Sequence, residues 1–400
     1  MEVMIDPDTA LTRVREHAEP LAPRNVPLAE AAGCVLSEPV TADRDHPPFD
    51  RSIMDGYAVR VADAGGERPV AFEVAAGAVP EGPLPEGAVV RIMTGAPCPA
   101  GTETVVPVED VTEAGGGVTL PTELVAGRNV MPRGREAAAG ATVLPEGSIL
   151  GPVAVAVLAS VGRDSVKVVP RPRLAMLTTG DEIVHVTATP GPGQIRDSNG
   201  PMIEAAARLG GWSIRRDRVP DDEAALRAAI DDAADVDILL LSGGVSAGRY
   251  DRVPDILAEA GADAVFHKVT QKPGKPLLFA TRPGQMIFGL PGNPLSGALG
   301  FHRYVAPAAR GLQGLSMDSR LETATLTAPL TVKGGRTHFV PARLAGAGRA
   351  LVATPCAGVG SADIFTPAEA DAYLHLPPGS ATYASGSAVD AEWMDARRWM

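Results

Sequence analysis

The strongest patterning signal in the chain is the run Val236–Leu241, apolar except for Asp237. It suits a strand buried on both faces of a parallel sheet. Around it, apolar strand-like runs alternate with helical spacing. Arg173–Thr179 reads as a strand, Ser198–Leu209 as a helix ending at Gly210-Gly211, Trp212–Val219 as a strand and Asp222–Ala234 as a helix with an acidic start. After Val236–Leu241 comes another helical pattern, then a lysine-rich segment. Leu277–Thr281 and Met286–Leu290 form a hairpin pattern, and a helix runs from Pro294 to about Leu312. Strand–helix alternation of this kind predicts a doubly wound α/β domain.

The flanks follow other periods. Residues 8–18 have helix spacing that Pro20, Pro23 and Pro27 terminate, and 26–40 reads as a short strand plus a small helix. From Thr41 to Pro145, short Val-rich runs such as Ala88–Met93 stand between Gly and Pro residues, the pattern of a separate, mostly β domain. Gly151–Val161 is apolar throughout and reads as a buried helix or strand, and Pro170-Arg171-Pro172 as a linker. From Arg320 onward the period falls to two, in Glu322–Thr327, His338–Val340 and Leu351-Val352, which predicts a closing small β barrel or sandwich.

Composition narrows the classes. A length of 400 residues implies two to four domains. With 36 basic against 48 acidic residues, the formal net charge of −12 disfavours nucleic acid or an anionic membrane as partner. Three scattered cysteines without a CxxC pair argue against a disulfide framework or structural zinc. The amino terminus has no basic region before an apolar one, and the longest apolar stretch is too short to span a bilayer. The expectation is a cytoplasmic protein.

An acidic chain that binds an anion must concentrate its cations. Lys268, Lys272 and Lys275 crowd the segment HKVTQKPGKPLLF, and Pro273-Gly274 between the last two is a turn that would hold both ammonium groups on one side. The bland reading is an edge strand guarded by lysine. Ser242-Gly243-Gly244 ends the central strand, where free backbone N–H groups can approach a ligand. Glu182 and Asp251 follow glycine-bearing strand exits, and Asp221-Asp222 follows a third strand. Like charges at 4 Å repel by roughly 4 kcal/mol at an effective dielectric of 20, so such carboxylates meet only around a cation; an anionic ligand beside them favours Mg²⁺. For Asp222 a helix cap is the preferred reading. No P-loop is present, and Gly191–Arg196 lacks the last glycine of a dinucleotide fingerprint. The seven histidines form no H-x-x-x-H pair, and Ser246 and Ser296 have no adjacent base. The residues thus predict a pocket for a phosphorylated ligand with a divalent metal.

Several stretches carry a resemblance: Pro48–Val59 (PFDRSIMDGYAV), Arg91–Ala96 (RIMTGA), Thr179-Gly180-Asp181-Glu182, Ser242–Ser246, Lys272-Pro273-Gly274-Lys275-Pro276 and Gly289–Pro294 (GLPGNP). In this order they resemble molybdopterin molybdenumtransferase, the molybdate-insertion enzyme whose animal counterpart is the gephyrin carboxyl-terminal domain. The resemblance implies a multidomain α/β plus β subunit: a discontinuous helical linker and dimerisation domain (1–40 and 146–170), an inserted mostly-β domain (41–145), a doubly wound α/β pterin-binding domain (171–318) and a carboxyl-terminal β barrel (319–400). It implies insertion of molybdenum from molybdate into adenylylated molybdopterin with release of AMP, in a homodimer whose active site is composite. Asp55 and Thr94 would come from the second subunit, and Lys268, Lys272 and Lys275 would clamp anions. Gly243, Gly244, Ser246, Pro291, Pro294 and Ser361 would bind substrate, and Glu182, Asp221 and Asp251 would surround Mg²⁺. The preceding molybdopterin adenylyltransferase is a further implied partner; nucleic acid and membrane are not. Glu136 stands where the family more often has Asp and is left out of the catalytic set. The competing readings are the adenylyltransferase itself and a non-catalytic gephyrin-like scaffold.

Overall fold

A computed structural model describes residues 1–243, 253–319, 321–356 and 358–394. The chain divides into two units, one of Met1–Arg24, Gly33–Val35 and Val169–Met400, the other of Asn25–Ala32 and Leu36–Val168.

The first unit is built on a seven-stranded sheet. Its strands are β1 (Glu2–Ile5), β2 (Arg173–Thr179), β3 (Ser213–Val219), β4 (Ile238–Ser242), β5 (Asp263–Val269), β7 (Leu278–Arg282) and β8 (Gln285–Leu290), in the order β1-β5-β7-β8-β4-β2-β3; β6 (Gln271–Lys272) belongs to another sheet. The four strands β8, β4, β2 and β3 are parallel. Only β7 is antiparallel to its neighbours, so β5 and β1 run the same way as the central four. One edge of the sheet therefore collects the carboxyl ends of β3, β2, β4, β8 and β5. Alternation along each strand divides the core. Leu174, Met176, Ile238 and Leu240 face α1 (Pro7–His17) and α2 (Asn199–Leu209); Ala175, Leu177, Leu239 and Leu241 face α3 (Glu223–Asp232) and α4 (Val253–Glu259). Each fully buried Leu contributes about 1.5–3 kcal/mol, which explains why the central strands read as unbroken apolar runs. Asp222 caps α3 by accepting from Ala225 N–H at 2.9 Å.

β1 escaped the sequence reading. Its four residues are short and partly polar, yet it pairs with β5 at the sheet edge, so the amino-terminal 24 residues pack with this unit. Beyond β8, α5 (Pro294–Gly300), a π-helical segment (Phe301–Val305) and α6 (Ala306–Leu312) run on without a break.

The carboxyl-terminal strands β9 (Leu321–Leu326), β10 (Thr337–Ala345), β11 (Val352–Pro355), β12 (Ala372–Leu376) and β13 (Ala388–Trp393) close into a ring in the order β10-β11-β9-β13-β12, with β12 returning to β10. Of the barrel and sandwich alternatives, the barrel is what forms. The strand β6, on the lysine segment, adds to its outside by pairing with Thr337 and His338.

The second unit is mostly β. Its largest sheet has six short strands, in the order 112–114, 117–119, 67–74, 89–92, 56–59 and 104–107. The apolar run at 151–161 forms the helix Pro152–Ser160, but it is not buried as expected: Leu158 is its one buried residue and Val153 is 78% exposed.

Candidate functional site

The doubly wound part of the sheet has a topological switch. The chain leaves β2 for β3 on one side, then returns across to β4 on the other. The switch point lies between the carboxyl ends of β2 and β4, the place where such sheets take ligands. Gly180 leaves β2 there and Gly243 leaves β4. Gly243 has φ +98°, and a Cβ on it would run into the Thr179 carbonyl oxygen, so only glycine lets the two exits meet. Glu182 folds its carboxylate back towards Gly180, within 2.9 Å of where a Cβ would stand. Asp221 follows β3, which is in register with β2 to the last residue, Thr179 opposite Val219. The Asp221 N–H reaches the Asp181 carboxylate at 3.5 Å. Glu182 and Asp221 thus occupy neighbouring exits on one edge. Asp251, Gly244 and Ser246 lie outside the described residues. Among the described residues no group of three His, Cys, Asp or Glu side chains is close enough to hold a metal ion.

Further along the same edge, a cleft of about 690 Å³ lies between the lysine turn, the loop after β8 and the barrel. Lys272, Lys275, Lys333 and Arg336 line it together with Pro291, Asn293, Ser296, His338 and Ser361, and among the described residues no Asp or Glu lines it. In a chain of net charge −12 this is a strong local reversal. Four cations with no acid between them create a field that favours a multiply charged anion. Ser361 is held in place: Asn293 Nδ2 donates to its hydroxyl at 2.8 Å and Leu295 N–H to its carbonyl at 3.1 Å. Pro294 occupies the first turn of α5, where its missing N–H costs nothing. His338 is buried, and its Nε2 lies 3.1 Å from the Lys333 carbonyl. Burial foremost, then the charges of Lys272 and Arg336, hold its ring below the usual histidine value, which favours its neutral form. Lys333, Arg336 and His338 were missed by sequence reasoning, because no local motif marks a barrel strand that a distant lysine turn will pair with.

Lys268 does not share the cleft with Lys272 and Lys275. It sits within β5 with φ +72°, beside Met4 of β1 at φ +60°. Its backbone N–H donates to the Leu277 carbonyl at 2.8 Å.

In the second unit, Asp55 precedes the strand Gly56–Val59 and Thr94 follows Val89–Ile92. These strands are antiparallel with Gly56 opposite Ile92, so the start of one meets the end of the other. Thr94 donates to Asp55 Oδ1 twice, from its N–H at 2.6 Å and its hydroxyl at 2.9 Å. These bonds, the backbone one first, lower the Asp55 pKa. Both residues are exposed, and Ile53 and Met54 beside them are exposed apolar side chains. Glu136 pairs with Arg51 at 2.5 Å.

Comparison with known proteins gives a consistent picture. The family description "MoeA N-terminal region (domain I and II)" matches residues 5–162, "Probable molybdopterin binding domain" 175–311 and "MoeA C-terminal region (domain IV)" 323–393. The molybdopterin molybdenumtransferase of Staphylococcus epidermidis is 32% identical over 391 residues, covering 95% of this chain and 93% of its own. That of Staphylococcus aureus is 33% identical with the same coverage. A crystal structure of a MoeA molybdopterin biosynthesis protein from Pyrococcus horikoshii superposes with a TM-score of 0.76 at 27% identity, covering 98% of this chain and 100% of that one.

Proposed function

Since the chain belongs to the molybdopterin molybdenumtransferase family, we propose that it transfers molybdenum from molybdate into adenylylated molybdopterin and releases AMP. One observation carries this reading: the cleft lined by Lys272, Lys275, Lys333 and Arg336, with no acid among its described lining residues, at the carboxyl edge of the sheet. Molybdate is a tetrahedral dianion. Compact ammonium groups and a forked guanidinium suit its oxygens, and Ser361 supplies a hydroxyl held by Asn293. Pterin phosphates would bind at the adjoining switch point, where Gly243 lets the exits of β2 and β4 meet.

The metal is part of the proposal. Glu182 and Asp221 are carboxylates on neighbouring strand exits, and their donor chemistry, oxygen only, is what Mg²⁺ takes; Asp251 would join them. A bound Mg²⁺ would neutralise charge on the phosphoanhydride as AMP leaves. Lys272 and Lys275 would do the same for the departing oxyanion. Asp55, kept ionised by its two bonds from Thr94, would orient molybdate or the attacking oxygen. It would do so from a second copy of the chain. The exposed apolar helix Pro152–Ser160 supports such a dimer, since a surface of that kind in a monomer costs about 25 cal/mol per Å² left in water.

The adenylyltransferase reading loses ground because the relatives named molybdenumtransferase match the chain over 95% of its length. Among the described residues no helix is long and apolar enough to cross a membrane. The deciding experiment supplies purified protein with adenylylated molybdopterin, Mg²⁺ and molybdate. Molybdate-dependent AMP release is expected, and Lys272→Ala should abolish it. ATP consumption with molybdopterin would instead point to the adenylyltransferase, and inertness in both assays to a scaffold.

A further inference from the structure

The lysine turn owes its shape to residues that do not touch the cleft. The Val269 N–H donates to the Lys275 carbonyl at 2.9 Å, and the Leu277 N–H to the same oxygen at 3.0 Å, closing a loop over Thr270–Gly274. Inside it lies the Gln271 side chain, fully buried. Its Nε2 donates across the turn to the Gly274 carbonyl at 3.3 Å, and its Oε1 accepts from the Tyr304 hydroxyl at 2.6 Å. Tyr304 is also fully buried, in the π-helical segment. Gly274 has φ +86°, and a Cβ there would stand 2.8 Å from Gln271 Nε2, so the amide fills the space that the turn would otherwise collapse into. The Gly274 carbonyl can only accept, so Gln271 turns its nitrogen to that carbonyl and its oxygen to the Tyr304 hydroxyl, which donates.

We infer that Gln271, oriented by Tyr304, is a positioning residue that sets the spacing of Lys272 and Lys275 for a tetrahedral oxyanion. The inference rests on the reading of the cleft given above. Both lysines are exposed, so what the fold can set is the separation of their Cα atoms, and among the described residues Gln271 is the side chain bonded across the turn. A purely structural role would lower stability and leave anion affinity of the folded protein unchanged.

The test uses the full chain and two variants, Tyr304→Phe and Gln271→Glu. Molybdate binding is measured by calorimetry at constant ionic strength near pH 8, and sulfate binding, whose charge is constant, is followed down to about pH 5.5. Circular dichroism reports the folded fraction in every sample. Tyr304→Phe keeps the charge and removes only the hydroxyl; the folded protein's molybdate affinity should fall about tenfold, because the lysine turn then has to be ordered at the expense of binding. Gln271→Glu sets a carboxylate against the Gly274 carbonyl near pH 8 and a donating carboxylic acid at lower pH. Its sulfate affinity relative to the unaltered protein should be weak at the first pH and recover at the second. Folded variants that bind like the unaltered chain overturn the positioning role, as does a Gln271→Glu loss that never recovers. Failure of the unaltered protein to bind molybdate overturns the reading of the cleft, and this inference with it.

Discussion

The barrel is fastened to the α/β layer by a buried charge cluster, and replacing Glu392 with Met should loosen it measurably. Glu392 is 2% exposed and Arg303 5%. Arg303 Nη1 donates to Glu392 at 3.3 Å, while His302 Nε2 and His375 Nε2 approach its carboxylate at 3.2 and 2.7 Å. The guanidinium lies 4.7 Å from the Phe339 ring centroid, and its other partner, Asp8, is bonded at 2.7 Å from the solvent side. Met fills the volume of Glu but leaves Arg303 with Asp8 as its acidic partner among the described residues. An exposed pair contributes about 0–1 kcal/mol, whereas breaking a buried one costs about 3–5 kcal/mol; the retained Asp8 bond puts the expectation near 3 kcal/mol. Urea unfolding followed by tryptophan fluorescence isolates this unit, because Trp212, Trp393 and Trp399 all fall within its residue range. The double variant Arg303→Met, Glu392→Met should recover at least about 1 kcal/mol of the loss, since a buried pair replaced by apolar residues is often neutral. A single-variant loss below about 1 kcal/mol, or purely additive effects, would refute the reasoning. The pH dependence has a definite sign. Burial alone would raise the Glu392 carboxyl, but the contacts and charges of His302 and His375 outweigh it and hold the group far below its ordinary 4.5. Its stabilisation is therefore present above that pH and lost as the solution is acidified through the depressed value.

Three further outcomes follow from the geometry. Arg336→Ala should weaken molybdate binding by about tenfold through loss of the forked donor in the cleft, checked by calorimetry, with secondary structure unchanged. Gly243→Ala should abolish AMP release and lower the thermal midpoint, because its Cβ collides with the Thr179 carbonyl at a positive φ; normal turnover would mean that the strand exits can separate freely. Mixing Asp55→Asn with Lys272→Ala, each inactive alone, should restore AMP release if the site draws on two copies, since a mixed dimer then retains one intact site; no recovery would assign Asp55 and Lys272 to the same copy.

Much of this architecture was legible along the chain. Buried parallel strands announce themselves as continuous apolar runs, so β2 and β4 were visible, and the Asp222 cap was readable from its position before a helical period. Proline and glycine in SGG, KPGKP and GLPGNP marked strand exits for the same reason: backbone conformations there admit few residues. The exposed apolar face of Pro152–Ser160 was not legible, because hydrophobicity records what a helix prefers to bury and not whether a partner is present. The edge strand β1 was missed because four half-polar residues carry no period.

The sequence by itself determined the central strands of the α/β sheet, the helices between them and the strand exits through glycine, since these depend on local sterics and on the period of apolar residues. Only the tertiary structure decided which cations share a cleft. Lys272 and Lys275 meet Lys333, Arg336 and Ser361 because β6 pairs with the barrel strand β10, while Lys268, four residues before Lys272, is left out. Charges far apart in sequence become one site only when long-range pairing brings their backbones together, and no local spacing encodes that pairing.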